Sequence, residues 1–143
     1  MLFRSCGSCH VGLVDYDFPA EGDYDGDGFV EGTQTEVDGL LARIRTAFQT
    51  SVPALVVGSN GRYAPSSTLF NSLTADQKRA VYNYNLVVSD GSKGVHNASY
   101  LVQVLQRSYF GASGRSIQAD FPGIYLRGPV QAVPVTSESL RLY

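Results

Sequence analysis

The sequence predicts a mainly α chain with long loops and an extended C-terminal tail. Apolar residues recur at three- and four-residue intervals in three separate stretches, the spacing of a buried helical face. Between those stretches lie runs of Gly, Asp, Ser and Pro, which mark turns and loops. From Arg115 onward three prolines and short β-prone pieces, Ile124-Tyr125-Leu126 and Val130 to Val135, read as extended chain without an obvious partner.

Taken in order, residues 1–20 hold two cysteines and a histidine and then a turn-rich stretch, Asp15-Tyr16-Asp17-Phe18-Pro19. Residues 21–32 are acidic and glycine-rich. A helix is predicted over 33–49, its inner face made by Val37, Leu40, Leu41, Ile44, Ala47 and Phe48, with Gly39 weakening it slightly. Residues 50–73 read as loop with short apolar pieces, Ala54 to Val57 and Leu69-Phe70. A second helix is predicted over 75–88, where Thr74 and Gln77 form a capping box. It turns inward either Ala80, Tyr84 and Val87 or Val81 and Leu86, and ends at the Ser89 to Lys93 loop. A third is predicted over 97–109, with Asn97 as N-cap, the stripe Tyr100, Leu101, Val104, Leu105 and Ser108, and Gly111 and Gly114 as its stop. The expected organisation is a helical domain over 1–111 and an extended tail over 112–143 that packs on a neighbouring chain.

The length, 143 residues, is that of one domain. Hydrophobic residues make up 43%, charged residues 17%, and the net charge is −2. Nothing in that balance suggests a basic nucleic-acid surface or a polybasic membrane patch. No apolar run approaches the ~20 residues that span a bilayer.

The chemistry-bearing motif is Cys6-Gly7-Ser8-Cys9-His10. A redox dithiol normally sits between a strand and a helix, and no strand is predicted ahead of Cys6. A zinc site needs about four ligands, and only Cys6, Cys9, His10 and His96 are available. The spacing C-x-x-C-H suits haem c. Two thiols reach the two vinyl groups on adjacent pyrroles, and the next residue sets an imidazole under the iron. Gly7 and Ser8 are small enough for the backbone to follow the macrocycle edge.

The sixth iron ligand follows by elimination. The only methionine is Met1, and the only other histidine is His96. Bis-histidine ligation by His10 and His96 is therefore expected. His96 as a surface or capping residue, or as ligand to a neighbouring subunit's haem, stays open at this point. Filling both axial positions leaves no iron site for substrate, so the expected role is low-potential electron transfer and not catalysis. Tyr82, Tyr84, Tyr100 and Phe70 are candidates for the haem walls, with plain core packing as their alternative. Haem is attached outside the cytoplasm, which implies a periplasmic or extracellular protein. Since Met1 to Arg4 leads straight to the motif, an upstream portion is expected to be missing.

A second motif is Asp23-Tyr24-Asp25-Gly26-Asp27-Gly28, the D-x-D-x-D-G opening of a calcium loop. Asp23, Asp25 and Asp27 converge on one cation, the Phe29 carbonyl takes the seventh position and Glu31 the ninth. Gln34 stands at the twelfth, where such loops carry a glutamate, so the last ligand is expected to shift to Glu36. The alternative is a solvated acidic turn.

Together these pieces resemble a known family. The C-x-x-C-H segment, the Asp23 to Gly28 loop with Glu31-Gly32 and Glu36-Val37, Tyr82-Asn83-Tyr84-Asn85, and Ser89-Asp90-Gly91-Ser92-Lys93-Gly94-Val95-His96-Asn97 are similar to the C-terminal region of bacterial multihaem c-type cytochromes. The resemblance covers residue 6 to about 109 and is most distinctive at Lys93-Gly94-Val95-His96-Asn97. It implies a c-type haem-binding domain, with haem c held by Cys6, Cys9 and His10 and His96 as distal ligand. Members carry several haem motifs; this chain carries one. The chain is then either a fragment or a subunit beside other haems, as in an extracellular cytochrome filament. Two other readings stand against this one: a piece of a multihaem reductase with an open haem site, and a calcium-stabilised structural module without haem.

Overall fold

The structure is a computed structural model that describes residues 15–128. Cys6, Cys9 and His10 lie outside the described residues, as does the tail from residue 129. The described chain is mainly helical: α1 (Thr33–Ser51), α2 (Ser67–Ser72), α3 (Ala75–Asp90), α4 (Ala98–Ser113) and α5 (Ile117–Asp120). Among the described residues there is no sheet, only isolated bridges at Pro19–Gly32 and Val57–Tyr63. No described helix is long and apolar enough to cross a membrane.

α4 is the central element and packs against both α1 and α3. Its buried face is Val102, Leu105, Gln106, Ser108, Tyr109 and Ala112. α1 answers with the predicted stripe, Val37, Leu40, Leu41, Ile44, Ala47 and Phe48. α3 buries Ala80, Val81, Tyr84 and Val87, combining most of the two predicted faces, while Leu86 is exposed. The Thr74–Gln77 capping box forms in both directions and satisfies N–H groups that the first turn leaves without partners. Gly91 ends α3 in the left-handed conformation, which glycine adopts at little cost.

Three local expectations change. The stretch 50–73 contains a short helix, α2, capped by the Ser66 side chain on the Leu69 N–H. Gly111 does not stop the third helix. It lies inside α4, where a methyl group would overlap the Asp76 carbonyl at the start of α3. Its role is close helix approach, and Gly114 makes the C-cap. Of the stripe predicted for α4 only Leu105 and Ser108 are buried; Leu101 and Val104 are half-buried and Tyr100 is exposed, the inner face turning instead to Val102, Gln106, Tyr109 and Ala112.

The described part of the expected tail belongs to this chain's own core. Ile117 and Ile124 are buried in it, and Tyr109 bonds Asp120 at 2.9 Å. The Gln106 amide donates to the carbonyls of Tyr24 (3.0 Å) and Tyr125 (2.9 Å) and accepts from the Arg127 N–H at 2.9 Å. Tyr125 N–H donates to the Asp23 carbonyl at 2.6 Å. One buried side chain thus ties the acidic loop and residues 125–127 together.

Elsewhere in the core, Tyr63 packs against Phe48 in a T-shaped contact and against Tyr84 in a tilted one, with centroids 5.3 and 4.8 Å apart. Asn85 holds Tyr63 by accepting from its N–H and donating to its carbonyl, both at 2.8 Å. Burial pushes the Tyr63 phenol well above its ordinary range.

Candidate functional site

Two features gather at the N-terminal end of α1: the acidic loop and the turn that carries His96. Both are held by α1's first residues.

The acidic loop is built by its own side chains. Asp23 accepts from the N–H groups of Gly26 (2.5 Å), Asp27 (3.2 Å) and Gly28 (2.8 Å). Asp25 accepts from Asp27 N–H at 3.0 Å, and Asp27 from Phe29 N–H at 2.8 Å. These Asx turns fold the backbone round the carboxylates. Asp23, Asp25 and Asp27 each bring a carboxylate oxygen within 4.8 Å of the others, the one group among the described residues arranged to hold a metal ion.

The rest of the expected ligand set is placed differently. Glu36, fully buried, accepts from the N–H groups of Tyr24 (2.8 Å), Asp25 (3.2 Å) and Glu31 (2.9 Å). Both of its oxygens accept from the loop backbone, so it anchors the loop to α1. Glu31 also lies outside the triad. Gln34 points to the other feature, its amide donating to the Ser92 carbonyl at 3.0 Å. The Phe29 side chain is exposed.

The charge balance of the loop is poor. Burial raises the pKa of Asp25; Asp27 and Glu36 push the same way, while the Asp27 N–H and the Arg43 guanidinium oppose them. Glu31 is raised by desolvation and then by Asp27, Asp25, Asp17 and Asp23. Arg43, which donates to the Asp25 carbonyl at 3.2 Å, is the cation that counters Asp25. Gly39 of α1 has a specific function here, since a methyl group would overlap the Asp25 carboxylate.

A raised pKa means that ionising Asp25 costs the folded state. The cost is full above the raised value and vanishes once pH falls below the ordinary 3.8. Asp25→Asn in cation-free buffer is therefore expected to raise the urea midpoint at neutral pH, with the gain fading as pH falls toward 3.8. A gain absent at neutral pH, or undiminished in acid, contradicts this account of the loop.

His96 is exposed and stands one residue ahead of Asn97, which caps α4 by accepting from Tyr100 N–H at 3.1 Å. Its turn contains Lys93 and Gly94, both at positive φ (49° and 93°). α1 holds this turn through Gln34 on the Ser92 carbonyl and through the Asp38–Lys93 ion pair. The His96 imidazole makes no hydrogen bond among the described residues. It lines a concavity with Tyr16, Phe18, Thr33, Gln34, Gly94, Val95 and Ala98.

The aromatic residues of that concavity are Tyr16 and Phe18, not the predicted ones. Tyr84 is core, its hydroxyl accepting from Arg45 at 3.0 Å. Phe70 sits under Lys78, 5.4 Å from its ring centre, and Tyr82 and Tyr100 face solvent elsewhere.

Tyr16 and Phe18 are placed by the segment 15–20, which lies antiparallel to the start of α1. Thr33 N–H donates to the Phe18 carbonyl at 2.7 Å and Ala20 N–H to the Glu31 carbonyl at 2.9 Å. The α1 N-cap, Gly32, has no side chain to offer. Asp17 substitutes for it, accepting from Gln34 N–H (2.6 Å), Thr35 N–H (3.3 Å) and the Thr35 hydroxyl (2.6 Å). A carboxylate here also meets the positive end of the helix dipole. Sequence reading missed Asp17 because a cap supplied from 17 residues away leaves no local pattern.

No family of known proteins, no curated protein and no solved structure matches this chain.

Proposed function

We propose that this chain is an electron-transfer module carrying one covalent haem c, attached through Cys6 and Cys9, with His10 and His96 as the axial iron ligands. The observation that carries the reading is the position of His96. Its imidazole is exposed, makes no hydrogen bond among the described residues, and lines a concavity shared with Tyr16 and Phe18. Tyr16 lies six residues after His10, a tether of at most about 20 Å at full extension. A haem borne by His10 is thus within reach of His96 of the same chain.

The residues present fit the group: an imidazole donor available to iron, two aromatic rings 6.4 Å apart, and apolar Val95 and Ala98 beside them. When bound, the haem supplies one-electron chemistry at its iron. The chain's part is to fix the imidazole, cover part of the haem face and leave no coordination position for substrate. A single haem passes electrons only over short gaps, so the module works beside other haems, as a subunit of a larger periplasmic or extracellular assembly, with filaments among its forms. That is also what the resemblance to multihaem cytochromes implies.

The test is direct. Protein matured with haem-attachment machinery is expected to keep one haem per chain after denaturation, and Cys6→Ser with Cys9→Ser to lose it. A denatured chain free of haem sinks the reading.

The acidic triad favours a second, separable element: a divalent cation, calcium by its oxygen donors, held by Asp23, Asp25 and Asp27 and supporting the α1 end of the fold. Chelation is expected to lower the melting temperature by several degrees, since a ligand that binds only the folded state stabilises it by mass action. An unchanged melting temperature returns the loop to a solvated acidic turn. The calcium-stabilised module without haem is what remains if the haem test fails and this one succeeds.

A further inference from the structure

We infer that the groove between α1, α3 and the turn 58–63 is a binding site for a small amphipathic carboxylate, gripped at its charged end by Arg45. The groove is separate from the His96 concavity, with which it shares no lining residue, and the inference does not depend on the haem reading.

Three pieces of chain build the groove. The middle of α1 contributes Asp38, Leu41 and Arg45, and the C-terminal half of α3 contributes Tyr84, Val87 and Val88. The third wall is the turn 58–63, closed by hydrogen bonds from Gly58 N–H to the Arg62 carbonyl and from Gly61 N–H to the Gly58 carbonyl, both at 2.9 Å. Gly61 and Gly91 stand on the rim at φ 76° and 68°, and glycine at both positions keeps the mouth free of side chains. The enclosed volume is about 200 Å³, which at protein packing density holds up to about ten non-hydrogen atoms.

The chemistry of the lining selects the ligand. Leu41, Val87 and Val88 form an apolar wall. Asp38 and Lys93 pair with each other at the edge, which leaves Arg45 as the uncompensated charge of the groove. Arg45 is half-buried, and its one hydrogen bond among the described residues runs from Nη1 to the Tyr84 hydroxyl at 3.0 Å. No described carboxylate pairs with it, whereas Arg79, Arg115 and Arg127 each have one. A partly desolvated guanidinium with donors to spare suits one anion. Tyr84, fully buried, adds a further donor: its oxygen accepts from Arg45, and no described group accepts its proton. One carboxylate answers both groups, and its apolar body lies along Leu41, Val87 and Val88. A phosphate monoester fits less well, because its additional charge at neutral pH meets Asp38.

The test is a methyl-resolved NMR titration of the reduced full chain with hexanoate, with 1-hexanol and acetate as controls. An open site of this size is expected to half-saturate at about 1 mM hexanoate, with the shifts centred on Leu41, Val87 and Val88. Hexanol keeps the apolar body and lacks the charge, acetate does the reverse, and each binds at least about tenfold more weakly. Arg45→Gln weakens hexanoate about tenfold and leaves hexanol unchanged. Asp38→Asn removes the carboxylate of the groove and frees Lys93, so it tightens hexanoate about threefold, and it decides the matter should Arg45→Gln fail to fold. Hexanoate that does not saturate by about 20 mM, that shifts methyl groups elsewhere, or that binds no better than hexanol overturns the inference. So does equal affinity in wild type and folded Arg45→Gln, or an Asp38→Asn affinity that is unchanged or lower.

Discussion

Glu36→Ala is expected to cost about 3–5 kcal/mol, enough to unfold a large fraction of the protein at 37 °C. Glu36 is the fully buried carboxylate of α1, and three backbone N–H groups, of Tyr24, Asp25 and Glu31, end on it. Removing the acceptor strands the buried N–H groups of Tyr24 and Asp25, at about 1–3 kcal/mol each, and frees the part-buried Glu31 N–H as well. Glu36→Gln keeps the volume and separates two effects. One oxygen remains, but an NH2 group faces an N–H that needs an acceptor, so a loss of about 2 kcal/mol is expected. Urea unfolding of both variants measures this, and a Glu36→Ala cost below about 1 kcal/mol contradicts the anchoring role. The two variants also separate the two roles open to this residue. An anchor makes Glu36→Ala costly in cation-free buffer, whereas a pure cation ligand makes it costly only when the cation is present.

On the proposed haem reading, His96→Ala has the largest effect on the spectrum. With His10 alone on the iron, the ferric spectrum shifts from low-spin to high-spin, and cyanide and carbon monoxide bind at once where wild type excludes them. The fold itself is expected to change little, because the His96 side chain is exposed and makes no hydrogen bond among the described residues. Near-unchanged stability beside a transformed spectrum is the signature of a ligand. An unchanged spectrum assigns the sixth position to another residue. A spectrum that changes only at high protein concentration assigns His96 to a neighbouring chain's haem.

What was legible in the sequence follows the range of the interactions concerned. The three long helices declare themselves through periodic faces, and the Thr74–Gln77 box through a three-residue spacing, because those patterns are local. α2 and α5 are too short to show a period and rest on single serine caps. Gly111 reads as a helix stop in isolation and becomes an interior residue only when the Asp76 carbonyl approaches it. Gly39, read as a slight weakness, is where the Asp25 carboxylate sits against α1.

The candidate site divides the same way. The Asp23, Asp25 and Asp27 triad was legible because its residues alternate along one loop and fold back on themselves. Gln34 was assigned by loop numbering and Glu36 as its substitute two residues further on; that reading missed that three backbone N–H groups end on Glu36 and that Gln34 donates to the Ser92 carbonyl, because both partnerships are set by the fold. Asp17 and Gln106 act across 17 and 82 residues of sequence, so neither carries a local signature.

The central claim is that one haem per chain is closed between His10 and His96. Optical and electron paramagnetic resonance spectra of the ferric holoprotein, taken at a dilution where it is monomeric, test it most directly. The account predicts one covalent haem with a low-spin bis-imidazole signature, indifferent to added cyanide in wild type and lost in His96→Ala. A high-spin haem in the monomeric wild type, or a low-spin signature that survives the loss of His96, contradicts it.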